Sequence, residues 1–246
     1  MLAEFMARAG NRILGDIPPD GREYWASRFW DREAAEAHPA IKAHYDEQTD
    51  EVARLLTQYA KDADRVLEFC CGTGLFTKLA ADLTGASEIV ALDISEQGLE
   101  RTRARVEHPG LRLVLGDFWK DHDLGTAELV LCMDAIHHLG DPRAALERLK
   151  SFIAPGGVLI GSLWTIDNFH ELQRYRYGRA AHLRQTAKFL SGAVAIRTSG
   201  GKRRSDFYRT RLLPTKQVEP LLRSVFSELL FISPSNRHFT AFAGRA

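Results

Sequence analysis

A short apolar run, Arg65-Val66-Leu67-Glu68-Phe69, gives way to the loop Cys70-Cys71-Gly72-Thr73-Gly74 and then to an amphipathic segment, predicting a helix over 74–83. Glycines in such a loop let the backbone come close to a ligand, and the free N–H groups of a helix start favour polar or anionic groups. The same rhythm continues downstream. Strands are predicted at 88–92, 111–115, 129–133 and 158–163. Ser95 caps a helix running to about 107, because its hydroxyl accepts a free first-turn N–H. Asp141-Pro142 opens another, and Pro155-Gly156-Gly157 turns the chain into the fifth strand. The tail predicts a helix at 215–225 and strands at 228–232 and 238–243, with a hairpin turn at Pro234-Ser235-Asn236. This alternation predicts an α/β fold. The sheet is doubly wound, seven-stranded and mostly parallel, with helices on both faces and a C-terminal antiparallel hairpin. Ligands of such sheets lie beyond the C-terminal ends of the strands.

Outside that rhythm lie two other regions. Residues 1–62 read as a helical N-terminal cap, with helical patterning at 1–14, 31–37 and 40–59 and the aromatic residues Tyr24, Trp25, Phe29 and Trp30 between. Residues 63–246 form the main domain, carrying an inserted lid at about 165–211. The lid is basic, from Arg174 to Arg211, and ends in a mobile loop whose tip is Ser199-Gly200-Gly201-Lys202. The basic stretch has three readings: a solvated helix face, a site for a carboxylate or phosphate, or an RNA contact. A formal net charge of +1 disfavours nucleic acid as the partner.

The 45% apolar and 26% charged residues predict a packed globular core. The segment 1–14 carries Glu4 and Arg8 and does not read as a secretory signal, and no apolar run reaches membrane-spanning length. Cys70, Cys71 and Cys132 lack zinc-knuckle spacing and read as buried reduced thiols, which suits a cytoplasmic location. No metal site is expected.

The glycine loop alone predicts only a nucleotide-like ligand. Asp93 closes the second strand about twenty residues later, where a carboxylate can accept hydrogen bonds from ribose hydroxyls. A dinucleotide fingerprint would have a third glycine where Thr77 stands. Glu68, just before the loop, would repel a pyrophosphate but suits a ligand bearing an ammonium and a sulfonium.

With these motifs in their order, the chain resembles the class I (Rossmann-like) S-adenosylmethionine-dependent methyltransferases, particularly their small-molecule members. The family's acidic-x-G-x-G-x-G motif is matched by Glu68, Gly72 and Gly74, with Cys70 in the first glycine's place. The resemblance covers about residues 62–165 and continues through Ala91-Leu92-Asp93-Ile94-Ser95, Leu115-Gly116-Asp117-Phe118 and Leu129-Val130-Leu131-Cys132-Met133-Asp134. It implies S-adenosylmethionine as cofactor and S-adenosylhomocysteine as product. It also implies that Asp93 binds the ribose, Ile94 packs on the adenine, Asp117 meets the adenine amino group, Phe118 lies at its ring and Met133 borders the methionine part.

For the reaction, the resemblance implies methyl transfer to an oxygen, nitrogen or electron-rich carbon of a small molecule, such as a secondary metabolite. An RNA or protein acceptor and a cofactor-binding module without catalysis are the alternatives. His137 and His138 follow the fourth strand at the lip of the cleft; either could be a general base, and His137 is the preferred one. Tyr24, Trp25 and Trp164 are candidate acceptor contacts, and Tyr45 a cofactor contact. The aromatic residues serve equally well to dock the N-terminal helices. A monomer and a homodimer both fit.

Overall fold

The first five strands are near-continuous apolar runs because helices cover both faces of the sheet. The computed structural model describes residues 2–30, 32, 36, 38–167, 169–203, 209–233 and 239–246. Strands β1 (Arg65–Phe69), β2 (Glu88–Asp93), β3 (Leu111–Leu115), β4 (Ala127–Cys132) and β5 (Ile153–Trp164) pair in parallel. Then β7 (Phe239–Arg245) pairs antiparallel with β5 and with β6 (Glu228–Ile232), giving the order β3-β2-β1-β4-β5-β7-β6. The expected seven-stranded sheet with its C-terminal hairpin is present; residues 234–238, with the predicted turn and the first residue of the last strand, lie outside the described residues.

The period of two along each strand divides the core. On one face Val66, Ile89, Leu129, Leu131 and Ile160 pack under α3 (Pro39–Tyr59) and α4 (Leu75–Leu83). On the other, Leu67, Phe69, Leu92, Val130 and Leu159 pack under α6 (Pro142–Lys150) and α9 (Thr215–Val225). Helix α5 (Glu96–Arg105) covers β2 and β3 through Leu99. Ser95 caps α5 by accepting from Gly98 N at 3.1 Å, and Asp141 caps α6 by accepting from Ala144 N at 3.0 Å. Both helix starts are where the sequence puts them.

One strand differs. Pro155-Gly156-Gly157 was expected to precede β5 but lies inside it. Ala127 pairs with Ile153 and Leu129 with Val158, so residues 154–157 bulge without ending the ladder, and Gly156 takes a φ of 79° there.

The remaining helices sit above the strand ends. Helix α1 (Leu2–Leu14) lies on α8 (Arg179–Thr198), with Leu14 packed on Ala193 and Ile196. A Cβ on Gly10 would come within 2.5 Å of the Phe189 ring, so the two helices touch almost backbone to ring. The short α2 (Arg22–Ala26) follows, and α7 (Phe169–Tyr177) joins α8 through Gly178 at φ 78°. The expected helix at 31–37 falls mostly outside the described residues, as do 204–208 of the lid loop. The Ser199-Lys202 tip is a glycine turn that closes α8, Gly201 N donating to Ile196 O at 2.8 Å. Among the described residues, no helix is long and apolar enough to cross a membrane.

Candidate functional site

At the end of β1 the chain makes three left-handed residues in five. Cys70 has φ 59°, Gly72 φ 57° and Gly74 φ 75°. This conformation costs a residue with a Cβ about 1–2 kcal/mol, which is why glycine is usual there. Cys70 adopts it nonetheless, so the departure from glycine leaves the turn intact. Its thiol is raised in pKa by the neighbouring Cys132 thiol and by burial. Cys70→Gly is therefore expected to leave donor affinity within about threefold, since the backbone already has glycine's shape; a larger loss by calorimetry would show that the thiol itself matters.

Asp93 ties this loop to β2. Its Oδ2 accepts from Gly72 N and its Oδ1 from Ser95 N, both at 2.8 Å. Burial raises the Asp93 pKa, and the N–H groups of Ser95, Gly72 and Ile94 oppose the rise. Thr102 of α5 braces the other side by donating to Gly72 O at 3.1 Å. Beneath the loop, Glu68 is buried and accepts from Thr77 Oγ1. The threonine in the third glycine's place thus serves the acid that precedes the loop.

Burial pushes the Glu68 carboxyl up to about 8; Thr77 opposes this and Asp93 adds to it. The folded protein therefore holds a proton that the unfolded chain releases near pH 4.5. Stability from this group is full below about pH 4.5 and is lost as pH rises through about 8. Glu68→Gln should accordingly be more stable than the parent at pH 8.5, with the gap closing at pH 5. Equal melting-temperature differences at both pH values would refute the buried-proton account.

Beyond the loop the strand ends border one cavity of about 1460 Å³. Cys70, Gly72, Asp93, Ile94, Asp117, Phe118 and Met133 line it on the sheet side. Asp117 accepts from Trp119 N at 2.9 Å and lies 3.7 Å from the Arg22 guanidinium. Phe118 is buried edge-on against Phe69, with ring centroids 5.5 Å apart. Tyr24, Trp25, Trp30, Tyr45 and Trp164 line the opposite side. Of the residues singled out in the sequence, Glu68, Gly74 and His137 are not in the lining.

His137 corrects the sequence reading. Residues Ile136–His138 form a single 3₁₀ turn, which sends neighbouring side chains in different directions. His137 is 1% exposed, stacks on Trp164 and accepts from Trp164 N at 3.2 Å. It supports the wall from behind. His138 is the histidine that faces the cavity. Its Nδ1 donates to Arg209 O at 2.9 Å, which leaves Nε2 as the acceptor nitrogen. Burial lowers its pKa to about 4, so at neutral pH it is an uncharged hydrogen-bond acceptor.

Sequence reasoning passed over Asp134, Gln48 and Ser162. Asp134 follows β4 in a left-handed conformation, φ 53°. Its Oδ1 accepts from Gln48 Nε2 at 2.7 Å and from Ser162 Oγ at 2.8 Å. Burial raises its pKa. An acid directly after the fourth strand was the available signal; its partners come from α3 and β5 and had none.

These strand ends and this loop are what a methyltransferase domain model matches over residues 41–193. The chain belongs to the methyltransferase family. Curated relatives of the domain include a malonyl-[acyl-carrier protein] O-methyltransferase of Halalkalibacterium halodurans, 27% identical over 161 residues, covering 58% of this chain and 59% of that protein. A trans-aconitate 2-methyltransferase of Methylobacterium radiotolerans is 33% identical over 127 residues, 51% of this chain and 48% of that one. The chain thus spans only about half the length of such relatives. In fold, the methyltransferase resembles the N-methyltransferase NodS of Bradyrhizobium japonicum WM9 in complex with S-adenosylhomocysteine. That match has a TM-score of 0.58 at 14% identity and covers 92% of this chain and 96% of that one.

S-adenosylmethionine is the family's methyl donor, and the residues here fit it. A Cβ on Gly72 would meet no atom within 4 Å, so the loop opens directly onto the cavity. The Asp93 carboxylate beside it offers acceptors for ribose hydroxyls, and Asp117 one for an amino group. Among the described residues no cluster of His, Cys, Asp or Glu is arranged to hold a metal ion.

Proposed function

We propose that this chain transfers the methyl group of S-adenosylmethionine to an oxygen, nitrogen or electron-rich carbon of a small molecule. The observation that carries the reading is the single cavity. It joins the glycine loop and Asp93 on one side to a wall of Tyr24, Trp25, Trp30, Tyr45 and Trp164 on the other. A donor on the loop and a flat acceptor on the wall would share one space.

When bound, S-adenosylmethionine supplies a methyl group already activated by its sulfonium. The protein's task is then alignment and exclusion of water. Asp93 and Asp117 fix the donor's sugar and base, and Met133 borders its methionine part. Ionised by a nearby cation, Glu68 favours the positive end of the donor. Tyr45 and Trp164 form the boundary between donor and acceptor, Trp164 being held by the His137 ring behind it and by its own N–H on His137 Nδ1. His138 presents Nε2 to the acceptor space as a hydrogen-bond acceptor for an O–H or N–H of the acceptor molecule. The cap within residues 1–62 and the lid at 165–211 shape the acceptor space.

Calorimetry with S-adenosylmethionine and S-adenosylhomocysteine tests the reading. Micromolar binding of both is expected, and no binding at high micromolar concentration would sink it. A catalytic role for His138 has a separate test. His138→Ala should leave the donor dissociation constant within about threefold and lower kcat/KM for the acceptor about tenfold, the loss of roughly one hydrogen bond. Unchanged kcat/KM would end its candidacy.

A further inference from the structure

The charged groups lining the cavity are not evenly matched. Arg22 is bound to Asp20 at 2.8 Å, Arg197 reaches Asp16 at 3.4 Å, and Arg32 pairs with Glu36. Arg176 is different. Among the described residues no carboxylate lies within ion-pair distance of it. Its guanidinium is held by flat faces instead, 4.1 Å from the Trp30 ring centroid and 4.8 Å from that of Tyr177. It is half-buried and lines the cavity. The Trp30 ring it covers meets Trp164 edge-on at 5.6 Å, which puts Arg176 on the acceptor side.

Other arginines of this wall are also held by an aromatic face. Arg28 and Arg209 lie 4.4 and 3.8 Å from the Tyr24 centroid, so two cations share one ring of the same wall. Of the aspartates that line the cavity, Asp134 has its carboxylate engaged by Gln48 and Ser162. A half-buried guanidinium loses hydration, and an incoming anion restores the lost interaction.

We propose that the methyl acceptor is a flat carboxylic acid whose carboxylate is held by Arg176 against the aromatic wall. This rests on the methyl-transfer reading above. The aromatic rings supply the flat contact, and the stacked guanidinium supplies a fork that matches a carboxylate. A carboxylate arrives already ionised and needs no general base: its oxygen forms the O–CH3 bond as the donor's S–CH3 bond breaks, and the sulfur keeps the electron pair in the departing S-adenosylhomocysteine. His138, one of the histidines lining the cavity, has a pKa of about 4 and only accepts at Nε2, so it is left to an O–H or N–H elsewhere on the acid.

The test is calorimetry on protein saturated with S-adenosylhomocysteine. The probes are benzoate, trans-cinnamate and benzyl phosphate, each beside its uncharged analogue: benzamide, cinnamamide and benzyl alcohol. At least one carboxylate should bind about tenfold to a hundredfold more tightly than its amide, the range for a desolvated charge-assisted contact. In Arg176→Gln that preference should vanish while S-adenosylhomocysteine affinity and melting temperature stay unchanged. Arg176→Lys should keep part of it, because the charge remains and the planar stack does not. The proposal is overturned if acids and amides bind alike, if none of the acids binds, if only benzyl phosphate is preferred, or if Arg176→Gln keeps the preference. Failure of S-adenosylhomocysteine itself to bind is a different result: it defeats the methyl-transfer reading, and the acceptor assignment falls with it.

Discussion

Asp93→Ala should lower affinity for S-adenosylmethionine by about a hundredfold or more, and should also loosen the unliganded site. The carboxylate accepts from Gly72 N and Ser95 N at 2.8 Å each. Removing it strips two charge-assisted hydrogen bonds from backbone groups beside the donor pocket, at about 1–3 kcal/mol apiece before water replaces them. The acceptor of the donor's ribose hydroxyls goes at the same time. Asp93→Asn separates the two effects. Its amide oxygen can still take one of the N–H groups, so stability should largely recover while affinity recovers only in part. Calorimetry and thermal melting read both. An Asp93→Ala protein that binds the donor within threefold of the parent would contradict the site as described.

The two loop glycines should fail in different ways. Gly74→Ala puts a methyl group 2.7 Å from Thr102 Cγ2 and 2.9 Å from its backbone Cα, at a φ of 75°. Left-handed strain and overpacking together cost about 2–4 kcal/mol. For a chain of this size that is a fall in Tm of roughly 5–15 °C. Gly72→Ala has the same backbone strain at φ 57° but meets nothing within 4 Å. Its cost to stability should be only about 1–2 kcal/mol, whereas its methyl group enters the space the donor needs. Gly74→Ala is therefore expected to be mainly a stability defect and Gly72→Ala mainly a binding defect. Melting curves and donor titrations showing the reverse order would mean that the loop faces the other way.

The loop and the acids proposed for the donor could be located in the sequence because they stand at the ends of strands. A strand end is marked locally, by an apolar run that stops, and the parallel sheet brings all such ends to one side. Glu68, Gly72, Asp93 and Asp117 could therefore be placed without knowing any packing angle. Thr77 was readable as the lack of a glycine, but not as the partner of Glu68, since that bond depends on how α4 sits on β1. The acceptor half obeys no such rule. Whether His137 or His138 meets the cavity turns on the roughly 120° rotation per residue of one 3₁₀ turn. Asp134 stood in plain view after β4, yet its role depends on Gln48, 86 positions earlier, and Ser162, 28 later. The basic lid gave away its charge and not its partners. Arg176 is distinguished from Arg197 only by what lies beside it in the fold.

The docking of α1 and the residues just after it on α7 and α8 has a consequence for how the molecule is made. Glu4 and Arg174, 170 positions apart, are joined at 2.7 Å, and Asp16 and Arg197, 181 apart, at 3.4 Å. During synthesis the first helix leaves the ribosome long before its partner exists. Strands β1 to β4 emerge in the interval, and they pair with one another. The nascent chain thus assembles the donor-binding strands first and must keep the apolar stripe of α1 waiting until the lid helices appear. Slowing elongation between β5 and α8 would lengthen that wait, and the exposed helix would be the part then in need of a chaperone.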